Sequence, residues 1–192
     1  MWILGLTGNI ASGKSTVLRL FSKYFSVIDS DQIVKKLYEN SKIQKQILQK
    51  FGFTSKPKLA DLIFSNKTAR KQLEQIVHPL VFKEIQKQLQ TFRKQKKVFL
   101  VVVDVPLLFE TKFEKKCTWT LVVASTRKLQ IQRLQKQGYS KQEALQRMQA
   151  QKKQEWKLNQ TDFVVWNTKS KKVLATEVNK WISFFIGLYY VC

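Results

Sequence analysis

Eight residues near the start of this chain, Gly8-Asn9-Ile10-Ala11-Ser12-Gly13-Lys14-Ser15, fit the pattern G-x-x-x-x-G-K-[ST], which constrains the fold more than any other feature. Such a loop needs a strand to deliver it and a helix to leave it. Trp2-Ile3-Leu4-Gly5-Leu6 is an apolar run suited to a short buried strand, and Thr16-Val17-Leu18-Arg19-Leu20-Phe21 continues with apolar residues on one helical face. Glycines let the backbone close tightly round phosphate oxygens, and the new helix points its N–H groups at the anion. Lys14 supplies positive charge for the β- and γ-phosphates, and the Ser15 hydroxyl is a ligand for Mg²⁺. A chance match is expected in on the order of 1% of chains this long. The strand–loop–helix setting makes chance rarer still.

The remainder reads as alternating helices and strands. Ser26-Val27-Ile28-Asp29 is a short strand ending in acid, and apolar positions recur at helical spacing from Gln32 to about Phe51. Gly52 to Pro57 is a break. Helical spacing resumes through Leu59, Leu62, Ile63 and Phe64, then from about Thr68 to Phe92. His78-Pro79 interrupts that stretch, so the sequence predicts one helix ending near Val77 and another opening at Pro79. Val98 to Val103 is continuously apolar and β-branched, as in a strand buried on both faces of a parallel sheet. Trp119 to Ala124 and Phe163-Val164-Val165 repeat the form, and Ser140-Lys141-Gln142-Glu143 reads as a capping box. The alternation predicts an α/β fold with a parallel sheet.

A chain of 192 residues, 44% hydrophobic and 25% charged, is expected to be one soluble domain with a substantial core. Its net charge of +22 favours polyanions. The excess is spread along the chain (Lys35-Lys36, Lys96-Lys97, Lys115-Lys116, Lys152-Lys153, Lys171-Lys172), so no dedicated nucleic-acid partner is expected. Cys117 and Cys192 lack metal-ligand spacing and suggest a reducing compartment. With no leader visible ahead of the phosphate loop, a cytoplasmic location is expected. The apolar stretch Trp181 to Cys192 falls short of the ~20 residues that cross a bilayer, which predicts a helix packed on the core and no membrane span.

Ligands of open parallel sheets bind beyond the carboxyl ends of the strands. Asp29, Asp31, Asp104 and Asn167 fall at such ends. Asp31 is the candidate base for a substrate hydroxyl, whereas Asp29 suits a helix cap or turn. Asp104 closes its strand either as a Mg²⁺-holding acid or as a structural turn residue. Phosphoryl transfer also needs cations against the moving group. Arg127, Arg133, Lys136 and Arg147 are candidates, and Arg147 shares a helix face with Gln151. His78 is the only histidine; a residue of this kind before proline usually ends or packs a helix.

Taken together, the residues resemble the dephospho-CoA kinase family, the last enzymes of coenzyme A synthesis. The resemblance runs nearly end to end: Gly5-Leu6-Thr7-Gly8 leading to Ser12-Gly13-Lys14-Ser15, Asp29-Ser30-Asp31, Leu73-Glu74, His78-Pro79, and Asp104-Val105-Pro106-Leu107-Leu108-Phe109-Glu110. Arg133-Leu134, Ala144 with Arg147 and Gln151, and Asp162 with Asn167 complete it. The combination of His-Pro with Asp-x-Pro-Leu-Leu-Phe-Glu is the specific part. It implies ATP-dependent phosphorylation of the ribose 3′-hydroxyl of dephospho-CoA on a P-loop kinase-like three-layer fold with a five-stranded parallel sheet. The core would be 1–30, 98–126 and 161–192, with a helical substrate-binding insertion over 31–97 and a lid over 127–160.

The resemblance also implies roles. Asp31 becomes the base, with Lys14 and Arg147 as further catalytic groups. Gly8, Ala11, Ser12, Gly13, Lys14, Ser15, Thr16, Arg133 and Asn167 would bind ATP, and Ser15 and Asp104 the Mg²⁺. His78, Pro106, Leu107, Leu108, Glu110 and Lys35 would bind the acceptor. Asn9 and Ala11 stand where the family commonly has glycine, and Asn9 is the better suited to left-handed backbone angles. Lys35 stands where arginine is common, Lys56 or Lys58 is nearest to another expected arginine, and Lys136 or Gln137 to the usual lid arginine. From the residues alone, another P-loop nucleotide or metabolite kinase stays open, as does an RNA-binding nucleotide switch. The sequence does not specify oligomeric state.

Overall fold

The computed structural model describes residues 1–191, with Lys56 described by its backbone alone; Cys192 and the Lys56 side chain lie outside the described residues. In chain order the elements are β1 (Trp2–Gly8), α1 (Lys14–Phe21), β2 (Ser26–Asp29), α2 (Ser30–Leu37), α3 (Ser41–Phe51) and α4 (Lys56–Ser65). There follow α5 (Lys67–Arg93), β3 (Leu100–Asp104), β4 (Trp119–Ala124), α6 (Arg127–Lys136) and α7 (Lys141–Gln149). The chain closes with α8 (Gln154–Leu158), β5 (Phe163–Trp166) and α9 (Lys171–Val191), and a 3₁₀ turn spans Phe113–Lys116. The chain divides into two compact units, Met1–Ile28 with Thr91–Cys192, and Asp29–Gln90.

The first unit carries a five-stranded sheet in the order β2-β3-β1-β4-β5, with β1 parallel to both β3 and β4, and β4 parallel to β5. The α/β architecture expected from the alternation is the one observed. The central strands are apolar on both faces because helices cover both. On one face Leu4, Leu6, Val102, Leu121, Val123 and Val165 pack against Val17 and Phe21 of α1 and Val178, Ile182 and Phe185 of α9. The apolar stretch from Trp181 is therefore a helix on the core, and among the described residues no helix is long and apolar enough to cross a membrane. The capping box at Ser140 is present in both directions, side chain to backbone and back. Because every paired strand runs the same way, Gly8, Asp104 and Asn167 gather at the carboxyl edge of the sheet.

The second unit is helical. Ile33, Ile43, Ile47, Leu59, Leu73, Val77, Val81 and Ile85 are buried. The periodic stretch from Gln32 to Phe51 is two helices: α2 ends at Leu37, and Asn40 caps α3, its Oδ1 accepting from Lys42 N at 3.0 Å. One expectation fails here. The break expected at His78-Pro79 is absent: α5 runs unbroken from Lys67 to Arg93 with Pro79 inside it. Proline in a helix interior costs about 3 kcal/mol. Leu73, Val77, Val81, Ile85 and Leu89 recur every four residues on one buried stripe that a break would split. Each such side chain contributes roughly 1.5–3 kcal/mol on burial, so the stripe outweighs the proline.

Candidate active site

The phosphate loop links the end of β1 to the start of α1. Gly13 precedes α1 at φ 102°, with no side-chain cap, so the first-turn N–H groups are left for an anion. A Cβ on Gly13 would collide with the Asn167 Nδ2, and one on Gly8 would lie 2.7 Å from both Ser12 Oγ and the Val123 carbonyl. The left-handed position among the substituted glycines is Ala11, at φ 58°, and not Asn9. An alanine there costs roughly 1–2 kcal/mol. Part of that cost returns as lower entropy of the unfolded chain. Ala11→Gly is therefore expected to raise stability by up to about 1 kcal/mol, read from the denaturant midpoint. A lower midpoint would mean that the loop carries no such strain.

The loop is braced from behind through its carbonyls. Arg133 Nη1 donates to Ala11 O and Ser12 O at 3.0 Å each and to Ser125 Oγ at 3.1 Å, while its Nη2 donates to Asn167 O at 2.9 Å. Asn167 Nδ2 donates to Ser12 O at 2.7 Å, and Gln130 Nε2 to Ile10 O at 2.9 Å. Spending carbonyl oxygens on side-chain donors keeps the backbone dipoles ordered, with N–H groups left for the phosphate side. Burial lowers the Arg133 pKa from its ordinary value, yet guanidinium remains a cation at any physiological pH. Two contacts come from the segment after α7: the Ile10 N–H donates to Gln151 Oε1 at 2.7 Å, and Asn9 Nδ2 donates to the Lys152 carbonyl at 2.9 Å. A cleft of about 710 Å³ opens beside Asn9, walled by Gln130, Met148, Gln151 and Gln154.

Lys14, the first residue of α1, and Asp104, the last of β3, form a largely buried ion pair. Ser15 is exposed on the first turn of α1 and Thr16 is half-buried behind it. The donor set suits the ion that the family resemblance implies, since a hydroxyl oxygen and a carboxylate are the hard ligands Mg²⁺ takes.

Pro106 to Glu110 leaves the end of β3 as a compact turn. Thr7 Oγ1 and Lys157 Nζ both donate to the Pro106 carbonyl, at 3.0 and 3.1 Å. Lys157 also pairs with Glu110 Oε1 at 3.2 Å and is itself fully buried. Burial lowers the pKa of Lys157, and the neighbouring Glu110 carboxylate opposes that shift. Glu110 Oε2 has no hydrogen-bond partner among the described residues. Leu107 is half-buried, and Leu108 is fully buried against Gly5.

Sequence reading passed over Lys157 because nothing local distinguishes one lysine among many. The only signal was its place between Trp156 and Leu158. Arg147 sits with its guanidinium 4.1 Å over the Tyr139 ring.

In the helical unit Asp29 is the N-cap of α2: its Oδ1 accepts from Gln32 N at 3.1 Å and its Oδ2 from Gln32 Nε2 at 3.2 Å. Asp31 is exposed in the first turn of that helix, and Lys35 is exposed in its last. His78 is half-buried within α5, its ring 6.0 Å from Phe82. Burial lowers its pKa and Glu74 opposes the shift, so the neutral imidazole is favoured.

Comparison with known proteins shows which family the chain resembles along its length. The dephospho-CoA kinase family model matches residues 2–172. A Bacillus cereus dephospho-CoA kinase is 37% identical, over 93% of this chain and 96% of its own. The crystal structure of TT1252 from Thermus thermophilus superposes with a TM-score of 0.78 at 32% identity, covering 97% of this chain and 96% of that one. Dephospho-CoA kinase from Campylobacter jejuni superposes with a TM-score of 0.65 at 30% identity, over 94% and 95%. With a braced phosphate loop, a buried lysine–aspartate pair and a family match over most of its length, this chain belongs to the dephospho-CoA kinase family.

Proposed function

We propose that this chain transfers the terminal phosphoryl group of ATP to the ribose 3′-hydroxyl of dephospho-CoA, the step that completes coenzyme A. The observation that carries the reading is the braced phosphate loop in a chain matched by the family model over residues 2–172. Gly8, Ala11, Ser12, Gly13, Lys14, Ser15 and Thr16 hold the triphosphate, through main-chain N–H groups of the loop and the Lys14 ammonium. Arg133 and Asn167 serve that binding through the loop they brace. The 3′-oxygen bonds to the γ-phosphorus as the β–γ bridging bond breaks. ADP leaves with the bond electrons, and the hydroxyl proton passes to a carboxylate oxygen of Asp31. Charge on the moving group is met by Lys14 and by Arg147, which swings from the Tyr139 ring.

Ser15 and Asp104 would hold Mg²⁺, which supplies Lewis-acid neutralisation of the phosphate oxygens. The acceptor is held by the 31–97 insertion through Lys35 and His78, and by Pro106, Leu107, Leu108 and Glu110; residues 127–160 form the lid. Leu108 contributes as the buried footing of its turn, and Glu110 through its second oxygen. Activity is in the cytoplasm. The test is ADP release with dephospho-CoA, AMP, CMP or shikimate as acceptor, each with and without magnesium. Turnover of dephospho-CoA alone, dependent on magnesium, is the expected result, and preference for any other acceptor would overturn the substrate assignment.

A further inference from the structure

The edge of the sheet opposite the phosphate loop has a composition that the kinase reaction does not use. The amino ends of the parallel strands meet there, and rings gather round them: Trp2 against Phe99 at 6.3 Å and Trp119 at 5.4 Å, and Tyr189 stacked on Phe99 at 4.3 Å. Beyond this layer the surface stays apolar. Tyr190 is 81% exposed and Val191 86%, and Tyr24 and Tyr189 are about half exposed. Six lysines fall on the same edge, because the segments entering the strands carry them. Lys23 precedes β2, Lys94, Lys96 and Lys97 precede β3, and Lys115 and Lys116 precede β4, all six exposed. The acids on these segments are Glu114 and Asp162, the latter accepting from Thr120 N and Oγ1.

Exposed tyrosines and an aliphatic side chain on an edge that also carries six lysines have the make-up of a surface that rests in a lipid interface. We propose that this edge docks on a membrane bearing anionic lipid headgroups, with Tyr190 and Val191 entering the interface and the phosphate loop facing away. Charge decides among the possible occupants. A second copy would bring the same lysine excess against itself. Nucleic acid would need a row of open ring faces. Tyr189, however, spends its face on Phe99, which leaves Tyr190 as the one open ring among the described residues at the end of α9. Val191 offers a base nothing to stack on. Because α9 is packed on the core through Ile182 and Phe185, attachment is peripheral and leaves the helix in place.

The test is co-sedimentation of the full chain with vesicles of phosphatidylcholine, or of phosphatidylcholine with 30% phosphatidylglycerol. Each lysine near an anionic surface favours it by roughly fivefold. Binding is expected to the anionic vesicles alone and to be lost in 0.5 M salt. Lys96→Glu with Lys97→Glu should lower the partition by at least about 25-fold, and Tyr190→Ser with Val191→Ser by about tenfold. Kinase turnover should be unchanged in both variants, since none of the four residues belongs to the site. Equal binding to neutral vesicles, no binding to anionic ones, or variants that bind like the parent would overturn the proposal. So would an RNA oligonucleotide that displaces the protein from vesicles and is bound through Tyr190, or a dimer in solution that Tyr190→Ser dissolves.

Discussion

Replacing Asp31 with asparagine is expected to lower turnover by about 10²-fold or more while ATP affinity stays close to that of the parent. The two aspartates that open α2 have different employment. Asp29 gives both oxygens to Gln32 as a cap, whereas Asp31 is exposed one position inside the helix. Asparagine preserves the size and polarity of the side chain and removes its capacity to take a proton. In the proposed reaction the phosphate loop, in the other unit, holds ATP, so ATP affinity has no reason to change. The control is Asp29→Asn, whose cost is that of a weakened cap, about 1 kcal/mol at most, with little change in turnover. Single-turnover kinetics and a nucleotide titration measure both, and parent-like turnover in Asp31→Asn would remove that residue from the role of base.

Lys157→Met is expected to destabilise the protein by about 3–5 kcal/mol. The substitution keeps length and apolar volume but leaves Glu110 largely buried, with its cation gone and its second oxygen already without a hydrogen-bond partner among the described residues. It also takes a donor from the Pro106 carbonyl. Lys157→Met combined with Glu110→Gln should recover most of the loss, because no uncompensated charge then remains inside. Thermal unfolding of the single and double variants measures this. Kinetics add an independent reading: a turn that positions the acceptor should show a larger rise in KM for dephospho-CoA than for ATP. Equal destabilisation by the single and double variants would mean that the pair contributes packing and not charge compensation.

Such pairs explain which parts of the site could be read in advance. The phosphate loop is one contiguous segment whose chemistry lies in its own backbone, and its strand and helix announce themselves by short-range periodicity. The parallel sheet was legible for a similar reason, since only strands covered on both faces are apolar throughout. The course of the chain at Pro79 was not legible locally, because the buried stripe on either side overrides the proline. The strained loop position also fell on Ala11, although Asn9 has the better intrinsic tolerance, because the path of the loop and not residue preference sets φ there.

Order along the chain was enough to specify the reaction family and the α/β architecture, because a phosphate loop and apolar strands are short-range patterns that carry their own physics. The brace of Arg133 across residues 11, 12, 125 and 167, the burial of Lys157 beside Glu110, and the convergence of six lysines and exposed tyrosines on one edge came from folding alone. Each joins segments far apart in the chain. Their energies depend on desolvation and on partners within a few ångströms, and neither exists until the sheet has formed.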